Sequence, residues 1–124
     1  MKLLLDEQLP VKLKDRFPAV FVTSTIKDMK WVGVKDTLLF RHIDESGFDV
    51  FITNDKSIRF QQNIHNLSFP IIDLNYFSNR YDDLLNIIEP LSNELTRLSV
   101  LILDRNKEKQ GAAFIFNNNE LQII

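Results

Sequence analysis

The residues of this chain best suited to chemistry are carboxylates at the ends of short apolar runs. Asp6 and Glu7 follow Leu3-Leu4-Leu5, Asp55 follows the run Phe48–Thr53 through Asn54, Asp73 sits within Phe69–Leu74, and Asp36 precedes an apolar helical repeat. Carboxylates gathered without cysteine or histidine suit hard, octahedral cations such as Mg²⁺ or Mn²⁺, which take oxygen ligands and retain several waters. Cations held in that way assist hydrolysis of phosphodiesters. Lys56 and Arg59 flank Asp55 and could hold a substrate phosphate; they could equally offset the local negative charge. Each acid has a structural alternative too. Asp36 stands where an N-cap belongs, Asp55 could finish an Asn-Asp turn or cap the helix after it, Glu7 could be a solvated loop acid, and Asp73 could have a structural partner.

Other chemistries find less support. There is no cysteine, so disulfides, thiolate metal sites and cysteine nucleophiles are excluded. His42 and His65 share no zinc-binding spacing, and His42 falls near the apolar face of its helix, where a packed histidine is expected. Three glycines hold no phosphate-binding loop. Ser57 has no evident activating base nearby. Trp31, Phe60 and Tyr76 could stack on bases, although isolated aromatics beside loops more often pack at an edge.

The elements that must position these acids alternate in type. Residues 2–5 form a strand apolar enough to be covered on both faces. Pro10 opens a helical segment reaching Pro18, Val20–Thr23 is a second strand, and Asp36 begins a helix with Leu38, Leu39, His42, Ile43 and Ser46 in register until Gly47 stops it. Phe48–Thr53 is a strand, Ile58–Gln62 a short helix, and Phe69–Leu74 a strand with its proline at the start. Tyr81, Leu84, Leu85, Ile88, Leu91, Leu95 and Leu98 mark a long amphipathic segment that Pro90 either kinks or divides in two. Val100–Leu103, Ala113–Phe116 and Leu121–Ile124 read as strands separated by a charged turn through Gly111 and by Asn117–Glu120, giving an antiparallel tail. Strands alternating with helices require right-handed crossovers, so the expected fold class is α/β, three-layered, with a mainly parallel sheet and a C-terminal antiparallel hairpin. In such a sheet the strands' carboxyl ends share one edge, where Asp6, Asp55 and Asp73 would meet, with Asp36 able to face it.

A length of 124 residues fits one domain, spanning 1–124, with a core of its own. A composition 44% hydrophobic and 26% charged is that of a globular protein, and the net charge of −2 announces no basic face for nucleic acid. The apolar run before Asp6 is too short for a signal peptide or membrane span, so the expectation is a soluble, cytoplasmic protein without a membrane partner. The apolar strand Leu121–Ile124 offers a sheet edge through which two copies could pair as a homodimer.

Leu4-Leu5-Asp6-Glu7-Gln8-Leu9-Pro10 resembles the opening LLDENLP of a family of small PIN-like proteins usually filed as a domain of unknown function. Thr53-Asn54-Asp55-Lys56 is similar to the TND or TKD motif that ends a strand in that family. Between them, the loop and helix-opening aspartate from Gly33 to Asp36 keep the same order. The likeness covers about residues 1–75 well and the remainder loosely. It implies a PIN-like α/β/α fold, a metal pocket formed by Asp6, Asp36 and Asp55 with Glu7 as an additional acid, and Mg²⁺- or Mn²⁺-dependent ribonuclease activity. It further implies RNA as substrate and a toxin role opposed by a cognate antitoxin. The chain departs from the pattern at Ser57, where relatives often carry an aspartate, and at Thr37-Leu38, where they often carry an acid. These departures motivate a second reading: a catalytically weakened PIN-like module acting through protein–protein binding.

Overall fold

In a computed structural model of the protein, residues 1–60, 67–105 and 112–124 are described, with side chains excepted at 59–60 and 101–105. His65, the end of the expected helix at Gln62 and most of the expected charged turn through Gly111 lie outside the described residues. Among the described residues six strands form one sheet in the order β2-β1-β3-β4-β5-β6. These are β1 (Lys2–Leu5), β2 (Val22–Thr25), β3 (Val50–Thr53), β4 (Ile71–Asp73), β5 (Ala113–Asn117) and β6 (Glu120–Ile123). All neighbours are parallel except β5 and β6, which form an antiparallel hairpin. The α/β class, the mainly parallel sheet and the C-terminal hairpin therefore agree with the sequence expectation.

Both faces of the central strands are buried, which is why those strands are apolar without alternation. Side chains one residue apart still point to opposite faces. Leu3, Leu5, Val50, Ile52 and Ile72 meet one cluster, together with Leu84, Leu91 and Leu95 of helix α2 (Tyr81–Arg105). Leu4, Phe51, Ile71 and Ala113 meet the other, with Leu39 and Ile43 of helix α1 (Asp36–Glu45). Each helix presents residues three and four apart to the sheet. Gly47, at φ +73°, ends α1 in the left-handed conformation expected of a helix-stopping glycine.

Beyond shifts of one or two residues at the ends of β3, β4, β5 and β6, three features differ from the sequence expectation. Strand β2 begins at Val22 rather than Val20, because Phe21 N–H donates to Pro18 O in a turn that leaves Val20 71% exposed. The long amphipathic segment is one helix with Pro90 inside it, and that helix runs on through Val100–Leu103, so the strand expected there does not form. Four apolar residues fit a buried strand or the continuing stripe of a helix equally well; Val100, at 54% exposure, falls on the outer side of α2. Lastly, the helical segment after Pro10 is a 3-10 helix, Val11–Arg16.

Candidate functional site

The carboxyl ends of β1 to β4 share one edge of the sheet. After β1 the chain turns outward to β2, then crosses back over β1 to reach β3, so the connections leaving β1 and β3 diverge. That divergence makes the carboxyl ends of these two strands the topological switch point, where doubly wound sheets form their ligand-binding crevice. Asp6 lies directly beyond β1, and Asn54-Asp55 directly beyond β3. The register Leu5↔Ile52, extended by Asp6 N–H donating to Ile52 O at 2.9 Å, sets Asp6 beside Thr53.

The Thr53 hydroxyl is the junction. It donates to Asp6 Oδ2 at 2.7 Å and accepts from the backbone N–H of Asp55 at 3.0 Å. Asp6 Oδ2 also accepts from Gln8 Nε2 at 3.2 Å, and Asp6 Oδ1 accepts from Glu7 N–H at 2.8 Å. Gln8 completes the link by accepting from the Asn54 N–H at 3.2 Å through Oε1. Burial pushes the Asp6 carboxyl above the ordinary aspartate range and outweighs the lowering by Thr53, Glu7 N–H and Gln8; the nearby negative charge of Glu7 raises it further. The hydroxyl of Thr53, the amide of Gln8 and the N–H of Glu7 are all neutral donors, so they favour the carboxylate without cancelling its charge.

Asp55 is exposed, and its Oδ1 accepts from Ser57 N–H at 3.0 Å and from Ser57 Oγ at 2.7 Å. Of the structural alternatives for Asp55, these bonds match the cap of the following element, which is the 3-10 segment Lys56–Phe60. Lys56 is exposed beside it, and Arg59 belongs to the same segment. Asp36 is the first residue of α1, one position inside the cap, which falls on Lys35 without a side-chain hydrogen bond. The loop leaving β2 brings α1 to begin on the edge where the strands end, and Asp36 is exposed there. Glu7 is exposed, whereas Asp73 is fully buried and accepts from Asn75 N–H at 2.8 Å. Among the described residues, no group of three or more His, Asp or Glu side chains is arranged to hold a metal ion.

Three polar residues of the site went unmarked as functional in the sequence: Gln8, Thr53 and Asn54. They sit inside the two motifs that carry Asp6 and Asp55, and that position was the available signal. Asn54 is 8% exposed and ties the segment before α2 to the end of β3. His42 is packed as expected, its ring stacked on Trp31 at 5.3 Å between centroids, and Trp31 also meets Phe48 edge-on. No protein-family model matches the chain, and neither a curated protein nor a solved structure matches it. Among the described residues, no helix is long and apolar enough to cross a membrane.

Proposed function

We propose that this protein is a PIN-like nuclease of three-layer α/β/α build that cleaves RNA with the help of Mg²⁺ or Mn²⁺ in the cytoplasm. In this reading it works as a toxin held in check by a cognate antitoxin. One observation carries the proposal: a half-buried carboxylate, Asp6, stands at the β1/β3 crevice one hydroxyl away from the Asp55 loop, held there by neutral donors. The donors on offer are carboxylate, hydroxyl and amide oxygens, a set that fits a hard cation. Mg²⁺ characteristically uses one or two carboxylates plus substrate phosphates, so Asp6 and Asp55 suffice to begin a site that the substrate completes. A bound ion of this kind supplies Lewis acidity toward the phosphodiester and acidifies water. In the chain itself, Asp6 and Asp55 would hold the ion, with Asp36 at the start of α1 as a third candidate ligand and Glu7 as an additional acid. Thr53 and Gln8 fix the orientation of Asp6, while Lys56 and Arg59 receive the substrate phosphate.

The test combines cleavage with a readout independent of it. Single-turnover cleavage of a labelled single-stranded RNA in Mg²⁺ or Mn²⁺ is expected for the parent and lost in Asp6→Asn and Asp55→Asn. Separately, Mn²⁺ at ten times its dissociation constant adds about 1.4 kcal/mol to the parent's stability, a Tm rise of roughly 4–7 °C for a domain of this size, and leaves Asp6→Asn unmoved. Neither cleavage nor a metal-induced Tm rise in the parent would sink the proposal. A second reading, a PIN-like module that acts by protein–protein binding, is favoured by one feature: Asp55 Oδ1 is engaged by Ser57, which stands where an aspartate occurs in the family the chain resembles. RNA cleavage abolished by Asp6→Asn rules it out.

A further inference from the structure

Beside the crevice lies a segment to which the proposed nuclease assigns no task, residues 75–80 between β4 and α2. Phe77 there is 77% exposed, although its neighbours are firmly held. The Asn54 amide donates to Tyr76 O at 3.2 Å, Ser78 O at 3.3 Å and Asn79 Oδ1 at 2.7 Å, and its oxygen accepts from Tyr76 N–H at 2.9 Å. On the other side, Tyr76 Oη donates to Asp83 O at 3.0 Å, Ser78 Oγ donates to Asp83 Oδ2 at 2.6 Å, and Arg80 N–H donates to Ser78 Oγ at 3.0 Å. Asn75 takes a left-handed backbone, φ +50°, steadied by the bond from its N–H to Asp73. The segment is thus bound to the residue next to Asp55 at one end and to the first turns of α2 at the other. Phe77 stands out from it with its ring 4.6 Å, centroid to centroid, from that of Tyr76.

A large apolar ring held out in water on a fixed backbone contributes little to the fold, and a loop with no other task would more economically carry a polar residue there. A preorganised aromatic surface, however, binds a flat partner with little ordering cost. Three residues on, Arg80 is exposed as well, and so is Lys56, two residues beyond Asn54. An exposed aromatic face together with exposed cations is the combination that binds single-stranded nucleic acid: bases stack on the ring and phosphates meet the cations. Duplexes offer no free base face, because their bases are already stacked on one another.

We propose that Phe77 is a nucleobase platform on which one base of a single-stranded RNA stacks while a neighbouring phosphate lies at the Asp6–Asp55 crevice, with Arg80 meeting the backbone beyond. Asn54 is then a positioning residue that fixes the distance between platform and crevice. The inference rests on the nuclease reading and deepens it by assigning a base-stacking subsite beside the proposed metal pocket.

The experiment measures fluorescence anisotropy of a labelled single-stranded RNA 12-mer, with Ca²⁺ in place of Mg²⁺ or Mn²⁺ so that the carboxylates keep a cation while cleavage is suppressed, against the full chain and three variants. Phe77→Ala is expected to weaken binding roughly 5- to 150-fold. Phe77→Trp should stay within about twofold of the parent because the π face is kept, and Phe77→Leu should bind as weakly as alanine. Since Phe77 is exposed, the Tm of all three should match the parent's, which separates lost binding from lost fold. An unchanged affinity in Phe77→Ala, or a leucine variant that binds as well as the parent, overturns the platform; if the parent still cleaves RNA, the nuclease reading survives that result. A parent that neither binds nor cleaves single-stranded RNA removes the nuclease reading, and the platform with it.

Discussion

At Asp6 burial and hydrogen bonding oppose each other most directly, and replacing it by asparagine isolates that opposition. Burial raises its pKa against the hydrogen bonds from Thr53, Glu7 N–H and Gln8, each of which lowers it. A carboxyl whose folded pKa exceeds its unfolded value favours the fold while protonated. Its ionisation penalty is absent below the unfolded pKa, grows as pH rises through the window up to the folded pKa, and stays in full above it. In Asp6→Asn there is no charge to desolvate. An amide oxygen in the place of Oδ2 keeps the contacts with Thr53 and Gln8, now at 2.7 and 3.2 Å, and the amide nitrogen then opposes the N–H of Glu7. Leaving a buried donor unmade costs about 1–3 kcal/mol, yet this N–H is at an exposed position and water can take it. Relief from desolvation offsets what remains. The variant is therefore expected within about 1 kcal/mol of the parent at pH 7, a Tm change of roughly 3–5 °C at most. The parent should gain on the variant as pH is lowered through the carboxylate range. Urea unfolding of both proteins from pH 4 to pH 8 measures this. A loss of roughly 3 kcal/mol or more at pH 7, the scale of a broken buried network, or a parent that loses ground on acidification, would refute the reasoning.

Other expectations follow from single features. Asn54→Ala removes the donors that hold Tyr76, Ser78 and Asn79, so stability should fall by about 1–3 kcal/mol and hydrogen exchange at Tyr76 N–H should accelerate while that of β1 does not. Phe51 is fully buried beneath α1, and Phe51→Ala should cost about 3–5 kcal/mol by chemical denaturation. Asn118 and Asn119 both have positive φ in the β5–β6 turn, +51° and +62°; Asn119→Val should cost about 1–2 kcal/mol, since a β-branched residue resists that conformation. Lys14 holds Asp28 at 2.9 Å, and this bond is the main cause that lowers the Asp28 pKa. A depressed acid stabilises the fold above its unfolded pKa and loses that contribution as pH falls through the folded one. Lys14→Met should therefore lose about 0.2–1 kcal/mol at neutral pH and close the gap to the parent in acid.

How much of this was legible in the sequence depended on the range over which each signal acts. The central strands were readable because a run such as Leu3-Leu4-Leu5 is buried on both faces and needs no partner to be recognised. The hairpin was readable because Asn117–Glu120 is turn chemistry that acts locally, and the left-handed residues Asn118 and Asn119 are what a tight hairpin requires. Asp6 and Asp55 could be placed just beyond strand ends because those ends follow from the same runs. The helical end at Val100–Leu103 was misread for the complementary reason: a short apolar run has no period of its own, and its state was settled by the preceding turns of α2. The start of β2 depended on a backbone turn from Pro18 to Phe21 that apolar patterning does not encode. Gln8 and Asn54 stayed hidden because their partners are distant: the amide oxygen of Gln8 meets Thr53 and Asn54, 45 and 46 residues on, and the Asn54 amide meets residues 22 to 25 further along.

The same long-range pairing makes the crevice dependent on register. Asp6 and Thr53 meet because Leu5 lies opposite Ile52 in the parallel ladder, and Thr53 in turn lies opposite Asp73. A slip of β3 by one residue would send Thr53 to the other face and replace it beside Asp6 with Ile52 or Asn54. It would equally exchange the two core clusters, placing Phe51 against α2 and Ile52 against α1. The alternation of Val50, Phe51 and Ile52 between cores of different shape therefore resists the slip, at the cost of repacking both faces at once. The apolar run that looked like mere filling between two acidic motifs is what determines that Asp6 and Asp55 share one hydroxyl. Substitutions that blur the distinction between the two faces of β3, such as Phe51→Ile, should accordingly disturb the Asp6–Thr53 contact without touching either residue.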